Sequence, residues 1–356
     1  MVGVVVVALA TLLVNACKDT AAPPAVTTTT DVRVDRRVEL VSILQRLTGH
    51  QAYTTAPMTP YVAAIDRTFG AFVDHPAVAA TRALRASHSI SWDAPIVLAV
   101  HLDDQLELVN PDELPSIDAR FTGADVASYA AQLRAFAADT RLDAFLAAQR
   151  PYIEQVEARM RAIIDAENAV AWFDTFFGAK AKARYRVIPG LLAGHRNFGA
   201  RARLPDGTLE LYQVLGMTAA DGLPAATTDS IALLVHEMAH SYINPVLHTQ
   251  RAALEAPGSK LFALVEKQMR AQAYGDWTTL ANESVVRALV VIYLRDRKGE
   301  VAALAELRAQ EQLGFRWTTP LVTELRRYQA ARTRYASFDA FVPELVATFE
   351  RLAAQP

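Results

Sequence analysis

Cysteine is almost absent: Cys17 is the only one in 356 residues. A domain that begins after it has no disulfide framework, and its stability must come from core packing. Charge of one sign is lacking too, with a formal net charge of -2 and no basic cluster interleaved with aromatics. That excludes a polyanion-binding surface, and nucleic acid is not an expected partner. The chain has no internal repeats, no P-loop, no glycine-rich dinucleotide fingerprint and no G-x-S-x-G nucleophile elbow. What is there is 52% hydrophobic and 21% charged, enough for a sizeable core in one large domain or in two subdomains sharing a cleft.

The segment from Val2 to Val14 is apolar or small throughout and ends in Val14-Asn15-Ala16-Cys17. It is too short for a membrane-spanning helix and reads as an export signal. Val-Asn-Ala-Cys also resembles the lipobox of bacterial lipoproteins, which implies that Cys17 becomes the lipidated first residue of a chain anchored to the cell envelope. Asn15 is not favoured at its position in that pattern, and the alternatives are a simple cleaved signal or an N-terminal anchor with a stray cysteine. Residues 18–31 carry two prolines and a threonine run without apolar periodicity, as a flexible tether would. The folded domain is expected over 32–356, with an N-terminal subdomain at about 32–245 and a helical one at about 246–356.

Apolar spacing predicts helices from Val38 to Leu47, Pro60 to Phe72 and from His75-Pro76 onward, then two long ones over Ala124–Arg150 and Pro151–Phe177. Ile96 to Leu102 fits either a buried helix or a strand. Trp92 reads as a core residue beside a helix-capping Asp93. Tyr185–Leu192 and Leu209–Leu215 read as strands of a hairpin or small antiparallel sheet, joined through glycines and an Asp206-Gly207 turn. Helices follow over Leu261–Tyr274, Thr279–Arg297, Val301–Gln312, Pro320–Arg332 and Phe338–Ala353. The fold class is thus α+β and predominantly helical.

The chemistry concentrates in Ile231–Pro245, IALLVHEMAHSYINP. Thr227 to Ser230 supply N-caps, and Asn244-Pro245 is expected to close the helix. His236 and His240, four apart, fall on one helical face where two imidazoles can hold one zinc, with Glu237 beside the metal but not a ligand. The apolar flanks make a solvated surface helix a poor alternative, because burying three polar groups there costs several kcal/mol unless they are paired. A catalytic zinc takes a third protein ligand and keeps one position open. Metzincin spacing is excluded by Ile243 and Val246. The best candidate is Glu283, a carboxylate inside an apolar helix, with Arg287 as its non-metal partner at i+4. His248, Glu255 and Glu266 are weaker. His195 and Asn197 in the strand connection, and Tyr242, are candidate substrate contacts; Tyr242, His195 and Tyr274 are candidate oxyanion donors.

With H-E-x-x-H on one helix and Asn282-Glu283 on a later one, the chain resembles gluzincin-type zinc metallopeptidases. It is more closely similar to a family of exported bacterial proteins known only as a domain of unknown function. That likeness rests on Val38-Glu39-Leu40, His75-Pro76, Arg196 to Gly199, His236 to Pro245 and Asn282 to Ala288. It implies a zincin-like fold, one zinc ion and a peptide or protein substrate. Glu237 would be the general base and His236, His240 and Glu283 the ligands. Gluzincins often carry an aspartate where this chain has Arg287, so the support around the ligands must differ, with Asp229 or Asn244 as candidates. The rival reading is a non-catalytic exported binding protein with structural zinc; a third is a zinc hydrolase of non-peptide bonds.

Overall fold

The computed structural model describes residues 30–355 except 179–182, 195, 205–206, 217–218, 220 and 273. Cys17, the expected export signal, tether residues 18–29 and His195 lie outside the described residues. Among those described, the fold is mostly helical around one small sheet, and no helix is long and apolar enough to cross a membrane.

The sheet has four strands, β1 (Thr30–Val32), β2 (Ala183–Pro189), β3 (Asn197–Arg203) and β4 (Leu209–Leu215), in the order β1-β2-β4-β3. It corrects the expected antiparallel sheet, because only β3 and β4 pair antiparallel while β1–β2 and β2–β4 are parallel. The expected connection at Asn197–Arg203 is itself a strand. Phe198 and Ala202 turn into the core while Arg201 and Arg203 stay exposed, the alternation of a half-buried strand. With a strand inserted there, the chain reverses twice between β2 and β4, which makes those two parallel. β1 also takes Thr30 and Asp31 out of the expected tether, and Asp31 pairs with Arg186 at 2.6 Å.

The sheet separates two cores. Tyr185, Val187 and Leu215 pack with the C-terminal helices, while Ile188, Phe198, Tyr212 and Val214 pack with the N-terminal ones. The division therefore follows the sheet and not Pro245: Phe173 and Phe176, far upstream, belong to the same core as the C-terminal helices. Several helix boundaries also move. The expected Ala124–Arg150 helix breaks into Val126–Asp139 and Leu142–Ala148 at Arg141, and Pro151–Phe177 breaks at Asn168. Both break residues have positive φ, 53° and 45°, which no helix interior accommodates. Ile96 lies in the helix Ala94–Val100. Leu261 lies well inside a helix that starts at Arg251 and runs through Pro257. There Gly258 leaves room for Trp277, whose ring a Cβ would meet at 2.6 Å.

Glu39 is fully buried and accepts a hydrogen bond from the Tyr61 hydroxyl at 2.7 Å, while its Oε1 has no partner among the described residues. Burial pushes its carboxyl from 4.5 up to about 7; the Tyr61 bond opposes this and Asp35 adds to it. The unfolded chain therefore loses this proton first as pH rises. The stability contribution is fully present below about 4.5 and is lost by about pH 7, a change of up to about 3 kcal/mol. Glu39→Gln is expected to flatten that decline. Urea midpoints across the window check it, and an unchanged slope in the variant would contradict the assignment.

Candidate metal centre

The helix Thr228–Thr249 opens on a reciprocal cap: the Thr227 hydroxyl accepts from the Ser230 amide at 3.1 Å, and Ser230 Oγ accepts from the Thr227 amide at 2.8 Å. Ile231, Leu234, Val235, Met238, Ala239, Ile243 and Leu247 are buried around it. It does not close at Pro245 as expected. The missing N–H and the ring at Pro245 cost about 3 kcal/mol in a helix interior, and burial of Ile243 and Leu247 on either side offsets this. His248 is therefore on the same helix and lines the same cleft as His240, instead of being cut off by a break.

Glu283 arrives from the helix Trp277–Lys298, which packs against the histidine helix. His236 Nε2 lies 3.4 Å from Glu283 Oε2, His240 Nε2 lies 3.4 Å from Glu283 Oε1, and the two Nε2 atoms are 3.2 Å apart. This is the one group of three such donors able to share a metal among the described residues. His240 Nδ1 is 3.1 Å from Asn244 Oδ1. An amide oxygen only accepts, so Nδ1–H donates to it; in the neutral imidazole the Nε2 lone pair then faces the cluster, and in the imidazolium Nε2–H faces Glu283. Asn244 is thus the supporting residue, whereas Asp229 is exposed in the first helical turn.

Arg287 lies one helical turn beyond Glu283. It donates to Glu283 Oε2 through Nε at 3.1 Å, and its Nη2 lies 3.0 Å from the same oxygen. Nη2 also donates to the Tyr274 hydroxyl, Nη1 to Gln310 Oε1, and the guanidinium stacks over Phe315 at 4.3 Å. Burial would raise the Glu283 carboxyl, but the His240 hydrogen bond and the neighbouring positive charges bring it down to about 2. Burial lowers His236 to about 3, with His240 and Arg287 adding and Glu283 opposing. Burial also acts to lower His240, yet Glu283 outweighs it and the imidazole is raised. Burial raises the Glu237 carboxyl.

The cleft beside this cluster has a volume of about 860 Å³ and is lined by Glu237, His240, Asn244, the edge strand β3, Gln213, Asp93 and Asp118. Glu237 fits because Gly199 has no side chain: a Cβ there would lie 2.8 Å from Glu237 Oε2. Asn197 lines the cleft, with its Oδ1 accepting from the Gly216 amide at 3.0 Å. Tyr242, expected as a substrate contact, is not among the residues that line the cleft. It stacks between Phe173 and Phe177 at 5.0 and 4.7 Å and donates to Asp174, on the core side of the helix. The Tyr274 hydroxyl is engaged by Arg287. Glu255 is exposed on a helix and not in a loop, and Glu266 pairs with Arg270 at 2.7 Å. Asp93 makes no capping bond and instead pairs with Arg120 at 2.9 Å, and Trp92 is 40% exposed, not core. Sequence reasoning missed Gln213. Its signal was a polar residue at an apolar-face position of Leu209–Leu215.

Fold and site together define a helical α+β protein with a candidate His-His-Glu metal centre at the base of a cleft. The chain belongs to the family described as Domain of unknown function (DUF4932), whose model matches residues 30–348. No curated protein and no solved structure matches it.

Arg287→Met leaves the Glu283 carboxylate buried without its cation, an arrangement that costs about 3–5 kcal/mol. The metal-free variant is expected to melt well below the wild type, and zinc is expected to recover most of the difference by neutralising the same charge. Thermal unfolding with zinc and with a chelator measures both; equal losses in the two conditions would contradict this pairing.

Proposed function

We propose that this protein is a zinc-dependent metallopeptidase, gluzincin-like in its ligands and zincin-like in the placement of a mixed sheet above the histidine helix. The observation that carries the reading is the spacing of the three donors. Zinc bonds of about 2.0–2.1 Å in a tetrahedron set ligand atoms about 3.3 Å apart. The two Nε2 atoms are 3.2 Å apart, each lies 3.4 Å from a different oxygen of Glu283, and one ligand atom from each of the three residues falls within 4.8 Å of the others. Two histidines and a carboxylate leave one position of the tetrahedron for water or substrate, as catalytic zinc sites do and structural sites do not.

Zinc bound there would supply Lewis-acid activation of a water and of the substrate carbonyl. The protein's own part is to hold, orient and move protons. Glu237, half-buried and raised in pKa, takes the proton of the attacking water and passes it to the leaving amine. Asn244 keeps His240 in the ligating tautomer, and Arg287 holds Glu283 in place. β3 lies at the sheet's edge and lines the cleft, so its outer backbone can pair with an extended peptide. The Val2–Val14 run ending near Cys17 supports an exported, lipid-anchored protein acting at the cell envelope.

The test is one zinc per chain by metal analysis, together with cleavage of an unbiased peptide library. Glu237→Gln is expected to keep the zinc and lose cleavage by a factor of about 10²–10⁴. Zinc in both proteins and cleavage in neither would favour the non-catalytic binding protein instead. Gly199→Ala is expected to unfold near the wild-type midpoint, because the atom it meets is the end of a flexible side chain. Its activity should fall about 10- to 100-fold with the displaced base. Undiminished turnover in that variant would refute the Glu237–Gly199 packing as a catalytic constraint.

A further inference from the structure

The sheet face that looks onto the histidine helix carries one glutamine among apolar neighbours. Strand pairing sets Gln213 directly opposite Gly199, and opposed residues of an antiparallel pair project to the same face. The side-chain direction of Gly199 is the one that meets Glu237, so Gln213 stands beside the proposed base. It is 4% exposed, it lines the cleft, and its Oε1 is buried without a hydrogen-bond partner among the described residues. A buried carbonyl oxygen left without a donor is costly, and an apolar residue here would avoid that cost. Three other polar groups of the cleft are engaged: Ser241 Oγ donates to the Met238 carbonyl, Asn244 Oδ1 accepts from His240, and Asn197 Oδ1 accepts from Gly216. Asn282 Oδ1 is also buried and unpartnered among the described residues, but that residue is more exposed and comes from the helix Trp277–Lys298.

Building on the peptidase reading, we propose that Gln213 Oε1 accepts a hydrogen bond from the N–H of the scissile amide, which makes the cleft selective for amide-linked over ester-linked substrates. An ester places an oxygen lone pair where the N–H would be, so it leaves Gln213 unsatisfied and facing a second acceptor. Sites built to hydrogen-bond a substrate N–H discriminate strongly against analogues that lack it. Asn282 and the outer edge of β3 remain for backbone groups further along an extended chain.

The experiment titrates zinc-loaded protein calorimetrically with a matched peptide phosphonamidate and phosphonate, identical except for N–H or O at phosphorus. Wild type is expected to bind the N–H form at least about tenfold more tightly. Gln213→Met, similar in volume but without the acceptor, is expected to bring the two within about twofold at unchanged zinc content. Gln213→Glu keeps an acceptor and is expected to retain the preference. A ratio near one in wild type, read independently of any variant's folding, overturns the Gln213 assignment and leaves the zinc reading standing. So does an unaltered ratio in a zinc-loaded Gln213→Met. Wild type that takes up no zinc, or binds neither analogue, overturns the peptidase reading and this inference with it.

Discussion

The structure depends on how a buried carboxylate, Glu283, is kept charged. It lies between two imidazoles and a guanidinium, at 3.4 Å from each histidine and 3.0 Å from Arg287. A carboxylate at this depth without partners would take up a proton instead of staying ionised. Arg287 supplies the opposite charge, and Tyr274, Gln310 and Phe315 hold Arg287 in turn. The cost of burying these three polar groups together is thus met within the protein, and the Trp277–Lys298 helix is tied to the histidine helix at the point where chemistry is proposed.

The sheet has the complementary task of shaping the space above those groups. Its alternation turns apolar residues into a core on each face, and on the lower face it leaves Gly199 and Gln213 where larger or apolar residues would complete the packing. One position makes room for Glu237, and the other brings a polar atom next to it. The insertion of β3 as an edge strand creates the cleft, since an inner strand would have both sides of its backbone engaged.

Legibility in the sequence varied with the range of the interaction. His236, Glu237 and His240 could be read directly because helical periodicity over four residues puts both imidazoles on one face, whatever the helix packs against. Glu283 could be read from its apolar surroundings, which make an isolated carboxylate too costly. Asn197–Arg203 was misread as a loop because its buried positions include only Phe198 and Ala202, too little apolar content to mark a strand without its neighbours. Pro245 was misread as a helix stop because the local penalty is visible in the sequence while the tertiary burial that outweighs it is not. Tyr242 sits next to the motif, yet the helix turns it into the stack of Phe173 and Phe177.

The sequence by itself determined the helical character, the paired histidines with their glutamate, and the need for a partner at Glu283, because each follows from local periodicity and the cost of burying polar groups. Only the tertiary structure decided that Arg287 supports the cluster, that β2 and β4 run parallel, that Gly199 faces Glu237, and that Gln213 lines the cleft. Those relations join residues tens of positions apart. They are set by which faces of the sheet and helices meet, and no spacing along the chain encodes that.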